Sequence, residues 1–296
     1  MSAWRWVRER PSPSGARMPG PADPARLTAS TPPMRRSGAR IKDFRPLARG
    51  SPGRSLRCGD KLGSMAQNET LLLLPGMLCD ARLWRDQIEA FTASHRVVVA
   101  CLTGYDSIAA MAEAALSGLS GKLAVAGLSM GGHVALEIAR RAPGQVQRLA
   151  LFDNSARADT PEQSEHRRGL LTLAQTGQFR GVTPRLLPML VHPSRLDSPL
   201  AAEVMAMAER VGRNAFLRQQ TALTGRIDSR PHLPAIRAKT LVAVGEDDLM
   251  TPPYLAEEIA AAIPGARLVR FAGSGHLPSM EVPEAVNAAM AEWLAD

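Results

Sequence analysis

The stretch Leu123-Ala124-Val125-Ala126-Gly127-Leu128-Ser129-Met130-Gly131-Gly132 decides how the rest of the chain reads. Residues 123–127 are a continuous apolar run, the pattern of a strand buried on both faces. From Gly132 to Arg141 the apolar residues recur at helical spacing, and the pattern stops before Pro143. Gly127-x-Ser129-x-Gly131 lies at the junction. A strand that turns at once into a helix forces Ser129 into a strained backbone conformation. Side chains two positions either side would collide with neighbouring segments, which is why glycines stand there. The turn lifts the Ser129 hydroxyl clear of the sheet's carboxyl edge, beside a helix N-terminus that favours developing negative charge. Ser129 is the candidate nucleophile.

Further short apolar runs lie on either side, at residues 70–74, 96–101, 149–153, 240–245 and 267–271. Helical patterns separate them at 108–119, 254–263 and 283–294, with prolines and glycines at their ends. The alternation predicts an α/β fold with a mostly parallel sheet of about six strands flanked by helices on both faces. Between residues 155 and 238 no strand pattern appears. Residues 170–175, 186–191, 200–211 and 215–223 read as short helices, and the interval is too long for a plain loop. The expected layout is a core of residues 65–154 and 239–296, interrupted by a helical cap at 155–238.

A serine hydroxyl is a weak nucleophile until a base takes its proton. His276, in Gly273-Ser274-Gly275-His276-Leu277, follows the last strand on the same edge of the sheet. The other five histidines, His95, His133, His166, His192 and His232, stand in helices, strands or the cap. The base in turn needs a carboxylate to fix its tautomer. Gly245-Glu246-Asp247-Asp248 follows the fifth strand, and Asp248 is the choice, with Asp247 next and Asp153, at the end of the fourth strand, as the outside alternative. The order serine, acid, histidine is the one this fold uses. Oxyanion donors are expected from the backbone N–H groups of Met130, directly after the nucleophile, and Met77, in the loop Pro75-Gly76-Met77-Leu78 after the first strand.

With these residues in place, residues 70–296 resemble the α/β-hydrolase superfamily. The likeness is strongest to small bacterial carboxylesterase-like members, the group with the pimeloyl-carrier-protein methyl ester esterases and enol-lactone hydrolases. The matching segments are Leu72-Leu73-Leu74-Pro75-Gly76-Met77, Gly127 to Gly132, Gly245 to Asp248 and Gly275-His276-Leu277. The resemblance implies a serine hydrolase that cleaves a small or medium carboxylic ester through an acyl-enzyme, without a cofactor or metal. Two departures stand out. Pro75 occupies a position where the family usually has a histidine supporting the oxyanion loop, and the two antiparallel strands that normally open the fold are missing if the domain starts at Met65. A lactonase, thioesterase, C–C bond hydrolase or perhydrolase would use the same three residues, because the differences lie in pocket shape. Haloalkane dehalogenases and epoxide hydrolases need an aspartate where Ser129 stands. A receptor-like ligand-binding protein on this fold is the non-enzyme alternative. Gly76, Leu78, Met189, Phe179 and Phe216 are candidate substrate contacts. Arg157, Arg167, Arg168, Arg195 and Arg226 would suit a substrate carboxylate, although a solvated surface is the expectation for them.

Composition bounds the rest. Hydrophobic residues make up 45% of the chain and charged residues 22%, a globular balance, and no apolar run approaches the roughly 20 residues of a membrane helix. The net charge of +8 is unevenly placed: residues 1–64 carry 14 basic and 4 acidic side chains, the remainder 22 and 24. The main domain therefore has no overall attraction for nucleic acid. Residues 1–64, rich in Arg, Pro, Gly and Ser, are expected to be a disordered basic extension. Of three readings, a transit peptide, a basic arm or a segment outside the working protein, the last is preferred because Met65 looks like a natural start. Cys58, Cys79 and Cys101 are isolated and lack metal-ligand spacing. Free thiols in the reducing cytoplasm are expected, with a small-molecule ester or lactone as the partner.

Overall fold

The computed structural model describes residues 69–295. The basic extension and Cys58 lie outside the described residues. Six strands, β1 (Glu69–Leu74), β2 (Arg96–Val99), β3 (Lys122–Leu128), β4 (Val146–Phe152), β5 (Lys239–Gly245) and β6 (Arg267–Phe271), form one sheet in the order β2-β1-β3-β4-β5-β6. Every neighbouring pair is parallel.

The apolar runs are continuous because both faces of the sheet are covered. Alternate residues point to opposite faces. Leu72, Leu74, Val125, Leu149 and Val242 pack on the side of α2 (Ile108–Leu116), α3 (Met130–Arg141) and α6 (Pro253–Ala262), through Met111, Val134, Ile138 and Ile259. Leu71, Leu73, Ala124, Ala126 and Leu241 pack on the other side, against α1 (Arg85–Phe91) and α8 (Pro283–Leu294), through Phe91, Met290 and Trp293. Each of these strand leucines is essentially inaccessible to solvent, which contributes about 1.5–3 kcal/mol per side chain relative to exposure.

Connections from β1 run to β2 on one side and back across to β3 on the other. The loops after β1 and β3 therefore diverge, leaving a crevice at the carboxyl edge, where parallel sheets of this kind place their ligands.

Several elements differ from the sequence expectation. The strand expected at 96–101 ends at Val99, and β4 begins at Val146, where the partly polar start Val146-Gln147-Arg148 masks the strand. The helix expected at 108–119 ends at Leu116, and Gly118 takes φ 74. The short helix α1 has no sequence counterpart above. Between β4 and β5, α4 (Pro161–Gln175) starts nine residues before the expected 170. Thr160 and Gln163 form a reciprocal capping box with Pro161 at the first helical position, a signal that the apolar period does not carry. The stretches expected as helices at 200–211 and 215–223 run together as α5 (Pro199–Thr224), broken at Gly212 by φ 77. The stretch at 186–191 is a single 3₁₀ turn over Leu187–Met189. A four-residue helix, α7 (Pro278–Glu281), precedes α8. Among the described residues, no helix is long and apolar enough to cross a membrane.

Candidate active site

Ser129 stands between β3 and α3 with φ 54 and ψ −114, outside the comfortable range of a non-glycine residue. Sterics hold it there. A Cβ on Gly127 would overlap the Gly131 carbonyl, and one on Gly131 would overlap the Leu74 carbonyl at the end of β1. Asn154, just after β4, donates its side-chain amide to the Ser129 carbonyl at 2.7 Å and braces the turn from the far side.

The Ser129 hydroxyl lies 2.9 Å from His276 Nε2, and His276 Nδ1 lies 2.8 Å from Asp248 Oδ2. Asp248 follows β5 and is 2% exposed; its Oδ1 accepts the N–H groups of Met250 and Thr251 at 2.8 and 3.0 Å, and its Oδ2 accepts the Thr251 hydroxyl at 2.6 Å. Burial pushes the Asp248 pKa up, but the adjacent His276 and the Thr251 hydrogen bonds outweigh it and hold the group below the ordinary carboxylate value. An ionised carboxylate only accepts, so Nδ1 of His276 carries the ring proton and Nε2 faces the serine with a lone pair. Of the competing acids, Asp247 is half exposed and reaches His192 instead, at 3.6 Å.

Asp153 is different. It is fully buried at the end of β4, with φ 45, and its Oδ1 accepts the Gly245 N–H at 2.9 Å. Burial first, then repulsion from Asp248, hold its carboxyl well above the usual range, with the Gly245 N–H partly offsetting them. Asp153, Asp248 and His276 offer ligand atoms within 4.8 Å of one another, but both His276 nitrogens and both Asp248 oxygens are already engaged by hydrogen bonds.

The His276 loop is fixed by a residue the sequence reading missed. Glu281, 3% exposed, accepts the N–H groups of Gly275, Leu277 and His192 at 3.0, 3.1 and 2.7 Å. The His276 N–H itself donates to the Leu190 carbonyl at 3.0 Å, from the segment between β4 and β5. Thr251 was missed in the same way. An acid between the apolar Met280 and Val282 is the only hint Glu281 leaves in the sequence.

Among the described residues, no acceptor takes the backbone N–H of Met77 or of Met130, so both remain available beside Ser129. A cavity of about 60 Å³ opens there, lined by Gly76, Met77, Leu78, Leu190, Val204, Met207 and Met250 around Ser129 and His276. Apart from His276, its wall has no ionisable group other than the Cys79 thiol, whose pKa burial pushes up to about 12. A larger cavity of about 210 Å³, between α3 and the turn at Arg230–Ala235, lies away from these residues.

Of the expected substrate contacts, Gly76 and Leu78 line the small cavity, whereas Met189, Phe179 and Phe216 do not. The rings of Phe179 and Phe216 lie 5.1 Å apart and pack with Leu78 in a core of their own; the apolar residues beside the serine are instead aliphatic ones. The arginines divide: Arg168 is exposed, as expected, and Arg157 partly so, whereas Arg167 and Arg226 are drawn inward. Arg226 is buried against Asp159 at 2.7 Å and its pKa is lowered to about 10 by that burial. Arg167 shares the same aspartate at 2.8 Å, Arg157 pairs with Glu258, and Arg168 and Arg195 cap nearby carbonyls.

A parallel sheet with a strained serine after β3, next to a histidine and an acid at one rim, defines a hydrolase of the α/β class. The chain belongs to the alpha/beta hydrolase family, whose model matches residues 71–289. It is 31% identical over 238 residues to a protein of Azorhizobium caulinodans named "Putative carbamate hydrolase RutD", covering 73% of this chain and 88% of that one. It is 28% identical over 231 residues to the pimeloyl-[acyl-carrier protein] methyl ester esterase of Nitrosomonas europaea, covering 72% and 91%. Among solved structures, a thermophilic esterase from Thermogutta terrifontis superimposes with a TM-score of 0.70 at 31% identity, covering 76% of this chain and 89% of that one.

Proposed function

We propose that this protein is a serine hydrolase that cleaves a small or medium carboxylic ester through an acyl-enzyme, with Ser129 as nucleophile, His276 as base and Asp248 as the acid that orients it. The observation that carries this is the unbroken run of contacts, 2.9 Å from hydroxyl to imidazole and 2.8 Å from imidazole to carboxylate.

The reaction follows from the geometry. Nε2 takes the Ser129 proton as Oγ bonds to the ester carbonyl carbon, and Asp248 stabilises the imidazolium so formed. The carbonyl oxygen becomes an oxyanion facing the N–H groups of Met77 and Met130. The intermediate collapses, breaking the bond to the alcohol, which leaves with the proton from Nε2. Water then repeats the cycle: His276 takes its proton, the hydroxide oxygen bonds to the acyl carbon, and the bond to Ser129 breaks as the serine recovers a proton. The carboxylic acid departs.

The small apolar cavity favours a short uncharged acyl group. In this reading the segment 155–238 acts as a cap on the core 65–154 and 239–296, contributing Leu190, Val204 and Met207 to the wall. A carbamate is a second substrate class, favoured by the 31% identity to the RutD protein, and it would pass through the same acyl step.

The test is a panel of p-nitrophenyl esters of increasing chain length, with lactones, thioesters and a p-nitrophenyl carbamate. Turnover is expected for short acyl esters, and Ser129→Ala is expected to lower kcat on the order of a thousandfold or more. Folded protein that binds these compounds without turning them over would favour the receptor-like alternative.

A further inference from the structure

The loop after β1 holds Leu78 at φ 58, a left-handed conformation that its side chain resists. Pro75, at the head of this loop, has no N–H and no polar side chain with which to anchor it. Besides the local bond from the Cys79 N–H to the Gly76 carbonyl at 3.2 Å, an anchor comes from 141 residues away: the Leu78 N–H donates to Oε1 of Gln219 at 3.0 Å. Gln219 is fully buried on α5, on the same stripe as Ala215, Phe216, Ala222 and Leu223. Helical spacing calls for an apolar residue on that stripe, and a buried amide is retained only with partners. Its Nε2 reaches the Leu102 carbonyl at 3.5 Å, and the neighbouring Arg218 donates to the Thr103 carbonyl at 2.8 Å. One turn of α5 thus clips the loops after β1 and β2.

The Leu78 N–H belongs to the peptide group directly after Met77. Holding that peptide restrains ψ of Met77, and so narrows how Met77 and its N–H, on the preceding peptide, can sit. Without an acceptor, a buried N–H would turn to find another partner. The same rotation would relieve the positive φ of Leu78, so the loop would have two reasons to move.

We propose that Gln219 is a positioning residue for the oxyanion loop: by accepting the Leu78 N–H it aims the Met77 N–H at the developing oxyanion, and it couples the placement of α5 to turnover at Ser129. The inference rests on the hydrolase reading given above. It also assigns the segment between β4 and β5 a part in the chemical step, beyond shaping the pocket.

The experiment compares wild type, Gln219→Met and Gln219→Glu on the best p-nitrophenyl ester, with the thermal midpoint and affinity for a trifluoromethyl ketone measured alongside. That ketone adds to the serine and forms an oxyanion of its own. Gln219→Met keeps the volume and removes the acceptor. It is expected to lower kcat by about 10- to 100-fold with KM within about threefold, as a displaced oxyanion donor does, and to weaken the ketone in the same proportion as kcat/KM. Gln219→Glu restores an acceptor and is expected to recover most of the loss. A folded Gln219→Met variant with kcat and ketone affinity within twofold of wild type overturns the proposal. So does an equal loss in both variants with a raised KM, which marks a general packing role. If Gln219→Met does not fold, Gln219→Asn, one methylene too short to reach Leu78, is read by the same criteria. Wild type inert on the whole panel removes the hydrolase reading and this inference with it. An active wild type with an indifferent Gln219 removes this inference alone.

Discussion

Replacing Asp248 with asparagine changes one atom and reverses the proton logic of the site. Asp248 Oδ1 accepts two backbone N–H groups, from Met250 and Thr251, at 2.8 and 3.0 Å. In Asp248→Asn the amide oxygen has to stay in that position, because an NH₂ there would face two donors. The NH₂ is therefore placed where Oδ2 was, 2.8 Å from His276 Nδ1. It donates, so Nδ1 must accept, and the ring proton moves to Nε2, facing the Ser129 hydroxyl. The imidazole can then no longer take the serine proton. A wrong tautomer of this kind costs roughly 10³- to 10⁴-fold in kcat, or about 4–5.5 kcal/mol of barrier. Steady-state turnover of a p-nitrophenyl ester by wild type and variant measures it, with KM expected to change little because Asp248 does not line the cavity. A loss of less than tenfold in a folded variant would refute the assignment. In that case Asp153, at the same rim, becomes the residue to mutate next.

Three other outcomes follow from the same structure. Glu281→Ala leaves three backbone N–H groups without an acceptor, and at about 1–3 kcal/mol for each buried group it is expected to destabilise the fold by roughly 3 kcal/mol or more in urea unfolding; an unchanged midpoint contradicts it. Asp153 keeps its proton in the folded chain at pH values where the unfolded chain has lost it, so its contribution is complete below the ordinary carboxylate range and is lost as pH rises through the folded value. Asp153→Asn removes that loss, and its stability relative to wild type is expected to improve as pH rises above the ordinary carboxylate range; urea melts at increasing pH showing no trend would count against a raised Asp153 pKa. Cys101 is exposed, and a hydrogen bond with Thr103 lowers its pKa, whereas Cys79 is half-buried and its pKa is raised to about 12 by desolvation and the nearby Asp80. Iodoacetamide at neutral pH is expected to modify Cys101 well before Cys79 by peptide mapping, and comparable rates would show that the wall beside Ser129 opens readily.

The parts of this molecule that could be read in advance are those whose physics is local. Gly127, Ser129 and Gly131 sit within five residues; the clash that requires Gly127 is with Gly131 in the same turn, and the one that requires Gly131 is with the end of β1. The central strands are visible because burial on both faces keeps their runs apolar, as in Leu71–Leu74 and Leu123–Leu128, whereas Gln147 and Arg148 hide the start of β4. His276 could be placed at the rim because it follows the last strand directly. Asp248 was legible only as one of several acids: choosing it over Asp247 and Asp153 needs the direction of each carboxylate, which depends on the Met250, Thr251 and Gly245 N–H groups. The residues that escaped notice act across long separations in the chain. Gln219 reaches Leu78 from 141 residues away, and Glu281 reaches His192 from 89. Phe179 and Phe216 look like pocket residues in sequence because aromatic side chains suit pockets and cores alike, and only their contact with each other and with Leu78 separates the two.

The most direct test of the central claim is covalent. A fluorophosphonate reacts with an activated serine and leaves a stable adduct that intact mass and peptide mapping locate. One adduct per chain is expected, on the peptide carrying Ser129, absent in Ser129→Ala and strongly slowed in His276→Ala. An adduct on a different residue, or none on folded protein that still hydrolyses p-nitrophenyl acetate, would contradict it.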